Sequence, residues 1–202
     1  MKVLMINGSI NELGCTHAAL SIIKDRLQEQ NIESEIVWIG KDAINDYNGT
    51  KQENELVKSI GEKCKECDGL IVGSPTWYSH PTARLLCLLD RLSIEYGPYL
   101  AYKPASSIMT ARRAGQVTSN DIIQKHFTLN NMPIVTSTYW NLVFGSKPEE
   151  VYKDEEGVLT MQNLADNMAW LLKSIHSANI DHPIAKKKKT NFHRWFHANK
   201  KC

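Results

Sequence analysis

The sequence predicts a doubly wound α/β domain of three layers, with a five-stranded parallel sheet in the order 2-1-3-4-5 between two layers of helices. Three observations carry this. Short unbroken apolar runs, such as Val3-Leu4-Met5-Ile6 and Leu70-Ile71-Val72, fit strands buried on both faces of a parallel sheet. These runs alternate with segments in which apolar residues recur at helical spacing, and strand–helix alternation with right-handed crossovers puts helices on both faces. The first strand feeds Gly8-Ser9-Ile10-Asn11-Glu12-Leu13-Gly14-Cys15-Thr16, a loop suited to an anion at a helix start. Five strands with such a loop after the first favour this order over the six-stranded alternative.

The elements follow in order. Strand one is the run at residues 3–6. Leu20, Ile23 and Leu27 mark a helix within Thr16 to Glu29, and Glu35 to Ile39 is strand two. Leu56, Ile60 and Cys64 mark a second helix at i, i+4, i+8, and Leu70 to Val72 is strand three, closed by Gly73-Ser74-Pro75. Thr82 to Tyr96 is a strongly apolar helix. Ser107-Ile108-Met109 reads as strand four, Ile122, Ile123 and Phe127 as a helix, and Ile134-Val135 as strand five. Leu164, Met168, Leu171, Leu172 and Ile175 belong to a last helix. Tyr139 to Thr160 reads as irregular decoration. Residues 1–182 form one domain, and 183–202 a basic C-terminal extension.

Of the 202 residues 42% are apolar and 23% charged, which excludes a disordered or fibrous chain. No apolar run approaches the ~18 residues of a membrane-spanning helix, and the N-terminus turns polar too soon for a signal peptide. The formal charge of +2 hides an asymmetry. Residues 186–202 carry seven basic groups and no acid, whereas the rest carries 17 basic against 22 acidic groups. One short basic patch on an acidic body makes a poor dedicated nucleic-acid binder. Phe192, Trp195 and Phe196 within it fit docking on the body or on a partner subunit. The five cysteines, at 15, 64, 67, 87 and 202, are odd in number and suit a reducing, cytoplasmic setting.

The loop after strand one has Cys15 where a Walker loop has its lysine, and it lacks G-x-G-x-x-G. Nucleoside triphosphate hydrolysis and a standard dinucleotide site are therefore disfavoured. Ser21 stands where a Cys-x5-Arg phosphatase needs its arginine. For the loop taken alone, a ligand-free turn capped by Thr16 is an equal reading. Ligands of open α/β sheets sit outside the carboxyl ends of the strands, and two more loops reach that edge. Ser74 to Pro81 contains Trp77 and Tyr78 between prolines, and Thr110 to Gly115 contains Arg112 and Arg113. A flat heteroaromatic ring would lie against the first and meet the second with its polar edge.

In these stretches, together with Asp68 to Tyr78, Leu89-Asp90-Arg91-Leu92, Lys103-Pro104-Ala105 and Met132 to Val135 leading to Tyr139-Trp140-Asn141, the chain resembles the flavodoxin-like NAD(P)H-dependent FMN reductases, relatives of the iron–sulfur flavoproteins. The resemblance spans most of residues 1–145. It implies FMN phosphate at Ser9, Gly14, Cys15 and Thr16. It implies isoalloxazine contacts from Pro75, Thr76, Trp77 and Tyr78, and from Ala111, Arg112, Arg113 and Gly115. It further implies NADH or NADPH as co-substrate, a small-molecule electron acceptor, no catalytic side chain beyond the flavin, and a homodimer or homotetramer. The iron–sulfur members carry a cysteine cluster after strand two. Here that segment, Ala43 to Gly49, has none, so no cluster is expected. A flavodoxin-like electron carrier, or an FMN-binding interaction protein that does not oxidise NAD(P)H, is the alternative function.

Three further features weigh less. Cys64-Lys65-Glu66-Cys67 has C-x-x-C spacing but no second pair for zinc, and it closes a helix rather than opening one. His193 and His197 at i, i+4 near Cys202 fit solvated or interface residues better than a metal clip. His80 beside the aromatic loop is a candidate proton donor.

Overall fold

The computed structural model describes residues 1–42, 44 and 54–183. The segment expected to lack a cluster, apart from Ile44, and all but the first residue of the basic extension lie outside them. So do the interface and metal-clip readings of its aromatics and histidines.

The strands are β1 (Lys2–Asn7), β2 (Glu33–Trp38), β3 (Gly69–Pro75), β4 (Ala105–Ala111) and β5 (Leu142–Phe144). All pair in parallel, in the order β2-β1-β3-β4-β5. The helices are α1 (Cys15–Glu29), α2 (Glu55–Glu66), α3 (Ala83–Glu95), α4 (Gly97–Leu100), α5 (Gln116–Leu129), α6 (Pro148–Val151) and α7 (Glu155–Ala178). Alternation along the central strands builds two cores. Val3, Met5, Ile71 and Ile108 pack under α1 and α7. Leu4, Ile6, Leu70 and Val72 pack under α2, α3 and α5. Side chains of a strand point to opposite faces in turn, so a run that is apolar throughout serves both layers.

The expected fifth strand is corrected. Ile134 makes only an isolated parallel bridge to Ala105 at the start of β4. The chain then leaves the sheet and returns as β5, which pairs with Met109, Thr110 and Ala111 at the other end of β4. The excursion is tied down by polar side chains. Asn141 Nδ2 donates to Ser106 Oγ and Ser107 O, both at 3.0 Å, and Asn167 Nδ2 donates to Thr136 O. Three apolar residues between Asn141 and Gly145 carry no periodic signal, so the segment read as decoration holds the strand that completes the sheet.

Cys64 and Cys67 sit at the end of α2, at 0% and 2% exposure. Burial, with the neighbouring Cys67 thiol second, pushes the Cys64 thiol up to about 12, and burial raises Cys67 as well. Such thiols are inert rather than redox-active. A thiol of raised folded-state pKa stabilises the fold below its unfolded value and loses that contribution as pH rises. The fold is expected to weaken between about pH 9 and pH 12. At neutral pH both thiols should label with a thiol reagent only as fast as the protein unfolds; labelling at the rate of a free cysteine would contradict their placement.

Candidate functional site

The β1–α1 loop is held by its own polar groups. Asn7, fully buried at the end of β1, donates from Nδ2 to Glu12 O (2.9 Å) and accepts from Ser9 N at Oδ1 (3.0 Å). Asn11 N donates to Ser9 Oγ (3.1 Å), and the Trp38 indole on β2 donates to Ser9 O (2.7 Å). Removing Asn7 orphans both of its loop partners. Asn7→Ala is expected to cost about 2 kcal/mol, read by urea denaturation, and an unchanged midpoint would contradict the bracing role.

The helix that follows begins differently from the other long helices that carry side-chain caps. Asn54, Thr82 and Asp154 cap α2, α3 and α7. The N-cap of α1 is Gly14, in extended backbone with no side-chain hydrogen bond. The ligand-free alternative, a turn capped by Thr16, does not form, because Thr16 is the second residue of the helix and its Oγ1 meets Thr110 Oγ1 at 3.1 Å. The first-turn amides of α1 therefore lack a side-chain partner where the helix dipole is positive. Cys15 Sγ donates to Gly145 O at 3.5 Å. Burial pushes this thiol up against the opposing effect of its own backbone amide, and Glu150 and Glu149 add to the rise. It packs as a neutral thiol.

After β3 the chain makes a tight hairpin. Trp77 and His80 exchange both backbone hydrogen bonds, at 2.8 and 2.9 Å, around Tyr78 (φ 52°) and Ser79 (φ 59°). Positive φ at both central positions is the pattern of a type I′ turn, which Asn-Gly usually fills. Tyrosine and serine in this left-handed region hold stored strain of the kind found at functional sites. Thr82 anchors the far side, with Oγ1 donating to Gly8 O (2.8 Å) and N donating to Ser74 Oγ (3.1 Å). The third loop ends at Gly115, the N-cap of α5, at φ +98°. A Cβ there would stand 2.6 Å from Ser79 Oγ, so the β4–α5 loop packs directly on the hairpin.

These loops enclose a cleft of about 260 Å³ at the carboxyl ends of the strands. Nine residues named from the sequence meet in it: Ser9, Gly14, Cys15, Thr16, Pro75, Thr76, Trp77, Ala111 and Arg112. Three do not. Tyr78 is 99% exposed at the hairpin tip, and Arg113 and Gly115 line a neighbouring cleft. His80 lies across the hairpin from Trp77 and outside the cleft lining. The structure adds Asn11, Thr110, Gly145, Ser146 and Pro148. The Gly145 to Pro148 turn has a readable signal, but with strand five placed at residues 134–135 it had no reason to reach this edge. Within the cleft, Thr76 Oγ1 is buried without a hydrogen-bond partner. Uncapped amides, an orphaned hydroxyl, the half-exposed Trp77 and Arg112 line one cleft and together fit a ligand with a phosphate and an aromatic ring.

Comparison with known proteins agrees with this chemistry. A family model described as NADPH-dependent FMN reductase matches residues 1–147. An iron–sulfur flavoprotein of Methanocaldococcus jannaschii is 29% identical over 191 residues, covering 87% of this chain and 99% of its own. An FMN-dependent NADPH-azoreductase of Staphylococcus aureus is 28% identical over 102 residues, covering 48% of this chain and 54% of its own. Among solved structures, RosB with its bound intermediate 8-demethyl-8-formylriboflavin-5'-phosphate superposes with a TM-score of 0.74 at 14% identity, over 95% of this chain and 92% of that one. At that identity the likeness speaks for the fold. Among the described residues, no helix is long and apolar enough to cross a membrane, and no three His, Cys, Asp or Glu side chains group to hold a metal ion.

Proposed function

We propose, from the premise that this chain belongs to the NADPH-dependent FMN reductase family, that the cleft formed by its β1–α1, β3–α3 and β4–α5 loops binds FMN and passes electrons from NADH or NADPH to a small-molecule acceptor. Membership makes the chain an oxidoreductase that uses FMN with NAD(P)H. The observation that carries the site is the meeting of the uncapped start of α1, the unpartnered Thr76 hydroxyl and Trp77 in one cleft.

The roles follow from the chemistry of each group. The amides of the first turn of α1 and the hydroxyls of Ser9 and Thr16 hold the phosphate, where the helix dipole favours an anion. Trp77 walls the ring. Arg112 holds negative charge at the polar edge of the ring and supplies positive potential for the anionic nucleotide. Bound FMN supplies the two-electron exchange, and the protein orients and tunes it. No side chain of the cleft acts as a nucleophile. We place Tyr78, Arg113 and Gly115 in supporting roles, since Tyr78 projects past the cleft and the other two form the wall behind it.

The test is direct. Purified protein should be yellow, or should bind added FMN with quenching of the flavin's fluorescence. Its flavin should bleach in a stopped-flow mixer faster than free FMN with NADPH or NADH. A colourless protein that takes up no FMN removes the cofactor assignment. Bound flavin that bleaches no faster than free flavin makes the chain an electron carrier instead.

A further inference from the structure

The β4–α5 loop has a second face. Behind it lies a cleft of about 400 Å³, bounded by Arg113 and Gln116, by Tyr139 and Trp140, and by Phe144 on β5. Tyr139 and Trp140 are each 55% exposed and meet edge-on, with ring centroids 4.9 Å apart. Their segment does not drift. Ser137 Oγ bonds Tyr139 O and Asn141 Oδ1, both at 2.7 Å, and Asn163 Nδ2 donates to Thr138 Oγ1 at 2.9 Å. The aromatic wall is thus fixed in place.

One buried polar group in this cleft has no partner. Gln116, the first residue of α5, is 2% exposed and lines the cleft, and its Nε2 makes no hydrogen bond. A buried amide N–H left unpaired is costly, and native structures rarely keep one. The other polar groups limit what can satisfy it. Asp154 spends both carboxylate oxygens, one on Phe144 N (2.7 Å) and one on Gly157 N (3.0 Å). It also caps α7, so that helix start offers no anion site. Among the charged residues of the lining, Asp154 and the exposed Glu156 outnumber Arg113, which disfavours a negative ligand. What remains is an aromatic slot whose lining includes a buried, unpartnered donor, which suits a flat, uncharged ring bearing a carbonyl oxygen.

We infer that this cleft is a second binding site, for a small uncharged aromatic carbonyl compound whose oxygen accepts from Gln116 Nε2 and whose ring packs on Trp140 and Phe144. It goes beyond the flavin assignment and does not depend on it, because none of these groups lines the first cleft.

The test is calorimetric titration of the purified protein, with whatever flavin it carries measured separately by absorbance, using 1-naphthamide as probe and 1-naphthoate as its anionic counterpart. Naphthamide is expected to bind, and naphthoate to bind at least about tenfold more weakly. Gln116→Met removes the donor and keeps the shape, and it should weaken naphthamide about tenfold. Trp140→Ala, an exposed position that leaves the core untouched, should weaken it by a similar factor without changing flavin content. Trp77→Ala, in the first cleft, should leave naphthamide affinity unchanged. Absence of naphthamide binding overturns the site. So does a loss of affinity in Trp77→Ala that Trp140→Ala does not share, since the probe would then occupy the first cleft. Missing flavin would count against the first cleft and leave this test intact.

Discussion

Replacing Gly14 by Asp is expected to give a folded protein that no longer holds flavin. The backbone of Gly14 is already extended and already serves as the N-cap of α1, so aspartate there would accept a bond from the first-turn amides as N-cap residues normally do. The new Cβ would stand 3.1 Å from Asn11 Cβ and 3.3 Å from Asn11 O. That is tight, but Asn11 lies in an exposed loop that can shift by a few tenths of an ångström. Stability should therefore change by less than about 1 kcal/mol in either direction. Affinity is another matter. The carboxylate would take up the amides proposed to hold the phosphate and set a like charge beside it. A penalty of about 3 kcal/mol, roughly a hundredfold in FMN affinity, follows at an effective dielectric typical of a protein surface. Thermal melting and a fluorescence titration with FMN read the two effects separately. Unchanged FMN affinity would place the phosphate elsewhere; a protein that fails to fold would show that the loop, not the ligand, needs the glycine.

Gly115→Ala should instead damage fold and site together. At φ +98° an alanine pays the steric cost of the left-handed region. Its methyl would also press on Ser79, 2.6 Å from Oγ and 3.2 Å from Cα. Strain and overpacking together come to about 3 kcal/mol of stability. Because the contact is the one that seats the Trp77–His80 hairpin against the β4–α5 loop, flavin affinity should fall by at least about tenfold as well. A double-mutant cycle isolates the contact. Ser79→Gly removes the hydroxymethyl group and suits the positive φ at that position, so it should be neutral alone and restore part of the loss in the Gly115→Ala background. Equal denaturation midpoints and equal FMN affinity for Gly115→Ala and the parent would show that the two loops are not coupled.

Much of this was legible in the sequence because the central strands are buried on both faces. A fully covered parallel strand must be apolar throughout, so residues 3–6 and 70–72 announce themselves, and strand–helix alternation with right-handed crossovers then leaves few topologies. Nine of the twelve expected site residues meet in one cleft for the same reason, since the ends of β1, β3 and β4 must share an edge. The helix starts were less legible. Thr16 looked like a cap because threonine suits that role, yet the helix begins one residue earlier and turns Thr16 inward to Thr110.

By itself, then, the sequence determined the sheet order, the layers and the three loops that gather at its carboxyl edge, because burial on two faces leaves unbroken apolar runs that alternate with helical periods along the chain. Only the tertiary structure decided three other things. It placed the last strand at Leu142–Phe144, because three residues at a sheet edge are held there by hydrogen bonds to β4 and by Asn141, not by any period of their own. It separated Arg112 from Arg113, since adjacent side chains in a loop diverge by an amount that depends on local backbone angles. And it left the Gln116 amide buried without a partner beside the β4–α5 loop, a fact that belongs to the packing of α5 against a distant aromatic corner and has no trace in the residues on either side of it.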